Sequence, residues 1–330
     1  MSHRFGKHSL ITFLVLLTVS VLLKSKASSE EQKSQPSLLG KGRGLDHVMI
    51  VVRDLDDSEK MWREKLGFKI QRSGKFPDGI ENRGMVFKNR TYLELLGIYD
   101  TRKAAQTDEA TFLQKHQGAT GLALHVSSAQ QTASFLKSKG FDVNDPASME
   151  YTPEGAEKET GKVRIVSFKK PIVPGGVFFI QYEMARQRNQ DNLLLHKLTE
   201  HPNTAEKIES VWIAVKDLDG TVKGYESIGL TSGRKVDFPK LGAEGREIRA
   251  GEGVLLLLRA KDPKGEVALF LTRRGEGIIG VSIKVARLQK TRAMLEADMG
   301  QRITPYEGSY GKSILVPVEL TQGVWLELFQ

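Results

Sequence analysis

The sequence predicts an α+β protein made of four βαβββ units that pair into two domains. Three observations support this. Leu45 to Ser58 (LDHVMIVVRDLDDS) returns as Ile208 to Thr221 (IESVWIAVKDLDGT), with Val48, Ile50, Val52, Asp54, Leu55 and Asp56 matched by Val211, Ile213, Val215, Asp217, Leu218 and Asp219. A second stretch, Gly118 to Leu136 (GATGLALHVSSAQQTASFL), returns as Gly277 to Leu295 (GIIGVSIKVARLQKTRAML), so units begin near residues 45, 120, 208 and 278. Each unit opens with apolar residues in period two and continues at helical spacing.

The elements follow in order. Arg4 and Lys7 precede an apolar run, Leu10 to Leu23, shorter than the roughly 20 residues of a spanning helix. Basic start, short apolar core and small residues near Ala27 read as a secretory signal. Lys24 and Lys26 leave an uncleaved anchor open as the alternative. The expected location is therefore exported, periplasmic or secreted, or tethered to a membrane through residues 10–23. The Ser/Gln/Lys-rich stretch up to Gly44 reads as a linker.

In the first unit Leu45, His47, Met49 and Val51 share one strand face and Val48, Ile50 and Val52 the other. Asp56, Asp57 and Ser58 are expected to cap a helix carrying Met61, Trp62 and Leu66 and closed by Gly67. Strands are expected over Gly84 to Asn89 and Tyr92 to Tyr99, then a polar, partly helical connector from Asp100 to Gln117. In the second unit a helix from Ala129 to Lys139 stops at Gly140, and strands follow over Val163 to Lys169 and Val177 to Glu183. One such unit leaves a sheet face uncovered, whereas two close around a shared cleft. The expected division is residues 1–44 as leader and linker, 45–186 as the first domain, 187–207 as a linker, and 208–330 as the second domain.

With no cysteine, disulfides, zinc–thiolate sites, iron–sulfur clusters and cysteine nucleophiles are excluded. Residues 1–44 carry seven Lys/Arg against two Glu, so +5 of the net +9 sits there and +4 on the body. No Lys/Arg run interleaves with aromatics in the body, which argues against nucleic-acid binding. Pro174-Gly175-Gly176 reads as a tight turn, since no helix follows to make a phosphate cradle.

Four positions on opening and closing strands carry the chemistry: His47, Glu94, His125 and Gln181, all expected to face inward. A carboxylate amid Leu93 and Leu95 is costly unless paired or bound to a cation. Two imidazoles and a carboxylate supply ligands for Zn, Ni, Co, Mn or Fe(II), which the residue types do not separate. Glu183 lies two residues past Gln181 on the same strand face and is the alternative fourth ligand. Tyr92 is expected to share the face of Glu94, and Tyr182 to point away from Gln181. In the second domain Ser210, Leu256 and Lys284 replace His47, Glu94 and His125, and only Glu327 is kept, so no metal is expected there. His201 is expected to hydrogen-bond locally.

HVMIVVRDLDDSEKMWREKLGF, RTYLELLGIYD, VFFIQYE and the later HPN resemble the vicinal-oxygen-chelate superfamily, more narrowly its glyoxalase-like domain proteins. The resemblance implies two glyoxalase/bleomycin-resistance-like domains whose first and last strands supply metal ligands. Carried over, those ligands are His47, Glu94, His125 and Gln181. It implies a divalent-metal-dependent lyase or isomerase acting on a small molecule with vicinal oxygens, with Glu94 or Glu183 as base. A metal-free sequestering protein and a ring-cleaving dioxygenase are the alternatives. A small-molecule substrate is the expected partner, and the chain is expected to be a monomer or homodimer.

Overall fold

The computed structural model describes residues 38–151, 161–183 and 197–330. The leader with its apolar run 10–23, and residues 187–196 of the connector between the two expected domains, lie outside the described residues. No helix among the described residues is long and apolar enough to cross a membrane.

Two eight-stranded mixed sheets with helices account for the repeats. The first is built from β1 (Gly44–Val51), β2 (Gln71–Lys75), β3 (Ile80–Val86), β4 (Tyr92–Ile98), β5 (Gly118–His125), β6 (Ala147–Tyr151), β7 (Gly161–Ser167) and β8 (Val177–Glu183). Their order is β2-β3-β4-β1-β5-β8-β7-β6. β1 runs parallel to β4 and antiparallel to β5, and β5 runs parallel to β8, so the two units meet back to back at β1 and β5. The second sheet repeats this with β9 (Ala205–Ala214), β10 (Thr231–Phe238), β11 (Ala243–Arg249), β12 (Val254–Ala260), β13 (Gly277–Val285), β14 (Tyr306–Gly308), β15 (Gly311–Val316) and β16 (Trp325–Phe329). Its order, β10-β11-β12-β9-β13-β16-β15-β14, copies the first strand for strand. The α+β class and the fourfold βαβββ repeat are borne out.

Local chemistry explains the helices. Leu55–Lys60 begins at Asp54, whose carboxylate accepts the Asp57 N–H at 2.8 Å. The cap is thus Asp54, two residues before the expected Asp56 to Ser58, while Asp56 and Asp57 sit in the first turn where the helix dipole favours them. The helix widens into a π-turn over Met61–Lys65, burying Trp62 completely. Ser128 and Asp217 cap Ala129–Ser138 and Leu218–Ser227 in the same way.

Alternation sends one face of each opening strand into a common core. Val48 and Ile50 of β1, Leu122 and Leu124 of β5, Val211 and Ile213 of β9, and Val281 and Ile283 of β13 belong to one buried cluster with the helices. Each such side chain contributes roughly 1.5–3 kcal/mol by leaving water. Leu38 and Leu39 join this core, and the Thr132 hydroxyl donates to Leu38 O at 3.1 Å. The expected linker therefore ends several residues before Gly44.

The opposite faces line two curled cups. A helix from the connector plugs part of each. Phe112 and Leu113, from Asp108–Leu113, pack on Met49, Val51 and Leu96 in the first. Val267, Phe270 and Leu271, from Glu266–Arg274, pack on Trp212, Leu256 and Leu258 in the second.

One further contact ties the halves. Lys69 N–H donates to His201 Nδ1 at 3.0 Å, and His201 Nε2 donates to Val86 O at 3.0 Å. Asn203 donates to Leu66 O at 2.7 Å. His201 does hydrogen-bond, but to partners more than a hundred residues away in sequence. Burial pushes its imidazole down to about 4, with Lys69 and Lys88 adding to the effect, so it stays neutral.

Candidate functional site

A bulge at the start of β1 builds the polar centre of the first cup. Leu45 pairs with Leu124 and His47 with Ala123, so Asp46 is one residue too many on β1. The bulge turns Asp46 and His47 to the same side. His47 Nδ1 donates to Asp46 Oδ1 at 2.6 Å, and the Tyr182 hydroxyl donates to the same oxygen at 2.8 Å. His47 Nε2 lies 3.7 Å from Glu94 Oε2. The Asn82 amide donates to Glu94 Oε1 at 2.6 Å. Tyr92 stacks on the His47 ring at 4.3 Å and Phe178 meets its edge at 5.5 Å. His47 is left 3% exposed, and Asp46 and Glu94 are buried with it.

The electrostatics follow from this packing. Burial alone would push the His47 imidazolium down. The hydrogen bond and charge of Asp46, then the charge of Glu94, more than offset it, and His47 is held above its ordinary value. Tyr92 is driven well up, first by burial and then by Tyr182, Glu94 and Asp46. His125 stands at the edge, its Nδ1 4.0 Å from Asp46 Oδ2 and its ring against Tyr182. Burial pulls it down; Asp46 opposes this while Arg43 and Arg90 reinforce it.

Of the four expected ligands, the structure brings His47 and Glu94 together and sets His125 nearby. Gln181 is a correction. Its side-chain oxygen accepts the Ala129 N–H at 2.7 Å, at the start of a helix on the core side of the sheet. Glu183 shares that side and pairs with Arg164. Phe178 and Tyr182 point into the cup instead; Tyr182 does point away from Gln181, and there it holds Asp46. β8 is apolar on both faces through Val177, Phe178, Phe179 and Ile180, so alternation gave no direction.

His47 and His125, both on opening strands, do not share one place in the repeat. Counting back from the caps Asp54 and Ser128 aligns His47 with Gly121, and His125 with Val51. His47 pairs with Tyr92, two residues before Glu94, and Leu122 pairs with Val177, so Phe178 stands in the Glu94 place. The two histidines are therefore not equivalent. A side chain at Gly121 would meet Met49 Cε at 2.6 Å and Gly176 O at 3.0 Å.

The resemblance implies a divalent metal, and the donor set does not fit one. Of the four places related by the repeat, His47 and Glu94 keep donors, while Gly121 and Phe178 have none. Among the described residues no group of three or more His, Cys, Asp or Glu is arranged to hold a metal ion. Glu94, whose burial argued for a cation, is already matched by Asn82 and His47.

Residues 45–229 match the family model described as the glyoxalase-like domain. The chain belongs to the glyoxalase-like domain family. No match is found among curated proteins. Among solved structures, a hypothetical protein from Staphylococcus aureus aligns with TM-score 0.58 and 17% identity, covering 86% of this chain and 98% of its own. A variant of 4-hydroxymandelate synthase from Streptomyces coelicolor aligns with TM-score 0.62 and 12% identity, covering 87% and 92% respectively. At these identities both show the vicinal-oxygen-chelate fold and nothing finer.

The second cup of this glyoxalase-like protein holds a different arrangement. Ser210, in the His47 place, donates to Ser282 at 2.9 Å, and Ser282 donates to Glu327 at 2.6 Å. Trp212 donates to Ser282 at 2.9 Å and Tyr306 to Glu327 at 2.5 Å. Glu327 pairs with Ser282 as Phe178 pairs with Ala123, so it corresponds to Phe178 and not to Gln181. It is fully buried, and burial pushes its carboxyl up against the pull of Ser282, Tyr306 and Ser313.

Asp46, Asn82 and Tyr182 were missed from sequence. Asp46 stands next to His47 in the sequence, but alternation sends it to the other face and only the bulge brings it in. Asn82 and Tyr182 depend on register.

Proposed function

We propose that this glyoxalase-like protein binds a small molecule with neighbouring oxygens in the first cup and moves a proton there, a lyase- or isomerase-type reaction run by Asp46, His47 and Glu94. The observation that carries the reading is one imidazole held between two buried carboxylates, 2.6 Å from Asp46 and 3.7 Å from Glu94. In this reading Glu94 accepts a proton from carbon beside a carbonyl. His47, fixed by Asp46, presents its Nε2 proton to the oxygen on which charge develops. Tyr92 and Phe178 keep water from the exchange. Asn82 Oδ1, buried without a partner among the described residues, is an acceptor suited to a substrate hydroxyl. A positioned base of this kind contributes about 10²–10⁴-fold.

The test is proton exchange from deuterated solvent into small α-hydroxycarbonyl compounds, followed by NMR on metal-stripped protein. Exchange should proceed without added metal and fall at least about 10²-fold in Glu94→Gln, with compound binding retained. Exchange indifferent to Glu94→Gln, or present only with one equivalent of divalent ion, would refute it. A second reading, sequestration without turnover, is favoured by how fully Asp46 and Glu94 already satisfy His47; binding with no exchange in the parent protein would support it. We also propose export, on Arg4, Lys7 and the apolar run 10–23; terminal sequencing of protein from cell fractions checks it.

A further inference from the structure

An open surface recess lies at the far end of β1 from His47, lined by residues of both halves of the chain. Its volume is about 330 Å³, room for a small ion. Arg53 enters it just past β1, and Lys115 and His116 from the turn before β5. Arg274 enters from the end of helix Glu266–Arg274, beside Gln322 and Glu319 from the segment before β16.

The charge here is unbalanced. Among the described residues no ion pair joins Arg53, Lys115 or Arg274 to a carboxylate, and Glu319 on the rim pairs with none of them. Arg274 has partial compensation at its helix C-terminus, through a hydrogen bond to Gln117 O and a Phe270 ring 5.5 Å away. Those contacts explain its place but not why a half-buried guanidinium faces other cations. Burial and then Arg53 push Arg274 down; burial, Arg274, Lys115 and Arg53, in that order, push His116 down. Gathering like charges in a recess costs free energy that an anion would recover. Gln322, held at φ +54, fixes the wall by accepting from Trp62 Nε1 at 2.5 Å.

We propose that this recess is a binding site for a small multivalent oxyanion, a phosphate group gripped by Arg53, Lys115 and Arg274. Planar guanidinium forks suit a tetrahedral oxyanion, and Arg53 and Arg274 bring two of them to one recess. Arg53 and Lys115 flank strands of the first sheet and Arg274 ends a helix of the second half, so a bound anion joins the two halves. The site is independent of the chemistry in the first cup.

Calorimetry and thermal unfolding of the full chain test it, using inorganic phosphate, glycerol phosphate and chloride at matched ionic strength. Phosphate should raise the unfolding temperature above the chloride control and bind with one-to-one stoichiometry. Tighter binding of glycerol phosphate would mark a phosphate ester as the ligand, and equal binding the free ion. Arg53→Gln with Lys115→Gln, both exposed and expected to fold, should weaken phosphate at least tenfold and leave exchange in the first cup unchanged. Lys137→Gln with Lys169→Gln, on another face, should not alter binding. Equal effects of phosphate and chloride, or unchanged affinity in the Arg53/Lys115 variant, overturn the proposal.

Discussion

Replacing Asp46 by Asn keeps the shape at the bulge and removes one charge. What is lost is the charge behind the 2.6 Å bond to His47, a charge-assisted bond worth about 1.5–3 kcal/mol. Tyr182 still finds an acceptor in the amide oxygen, so its 2.8 Å bond survives. Glu94 remains 3.7 Å away, on the order of 4 kcal/mol at an effective dielectric near 20, so the imidazolium keeps some support. The His47 midpoint should therefore fall in Asp46→Asn, and fall further in a double variant with Glu94→Gln. In the parent protein His47 is held above its ordinary 6.5. The stability it supplies is complete below that value and disappears as pH rises through the raised one. The variant should thus lose about 1.5–3 kcal/mol on the acid side and little on the alkaline side. NMR titration of the histidine ring together with urea unfolding at several pH values measures both. An unmoved His47 midpoint, or a loss of the same size at every pH, would refute the reasoning.

Three other perturbations follow. Glu327 is held above the ordinary carboxyl value, so its stability contribution is full at low pH and is lost as pH rises through the raised value; Glu327→Gln should flatten that decline in a plot of unfolding temperature against pH. Arg83→Met should cost about 3–5 kcal/mol in urea unfolding, because it strips Glu59 of a 2.8 Å partner where both side chains are buried, whereas Arg63→Gln, half exposed, should cost less than about 1 kcal/mol. Gly121→Ala should lose about 1–3 kcal/mol through the clash with Met49 and Gly176, and Met49→Ala in the same chain should restore part of it, as unfolding midpoints will show.

Period-two alternation in HVMIVV and WIAV was enough to read β1 and β9, because one face of each packs on helices and the other lines a cup. β2 was not read: Gln71 to Lys75 carries no apolar pattern and is held by pairing with β3. The strand β3 begins at Ile80, earlier than the expected Gly84, because Asn82 and Arg83 are buried polar residues that masked the alternation. The site was half legible. His47 and Glu94 stand out as polar groups amid apolar runs, and the structure sets them together. Gln181 looked equivalent, yet strand β8 turns it toward the cap of helix Ala129–Ser138. The kinship of His47 with Gly121 follows from counting back from Asp54 and Ser128. The Asp46 bulge was out of reach, since an extra residue in a strand shows only against its partner's register.

The hydrogen bonds that His201 and Asn203 throw back onto Lys69, Val86 and Leu66 bear on how the molecule can be dissected. Expressing residues up to the end of β8 alone would strip amide and carbonyl groups near Leu66 and Lys69 of their partners and bare the apolar side chains that meet β9 and β13. Such a fragment should be poorly soluble even with every residue of the first cup intact. Fragments meant to isolate that cup therefore need to run through Asn203 and carry β9 and β13 as well.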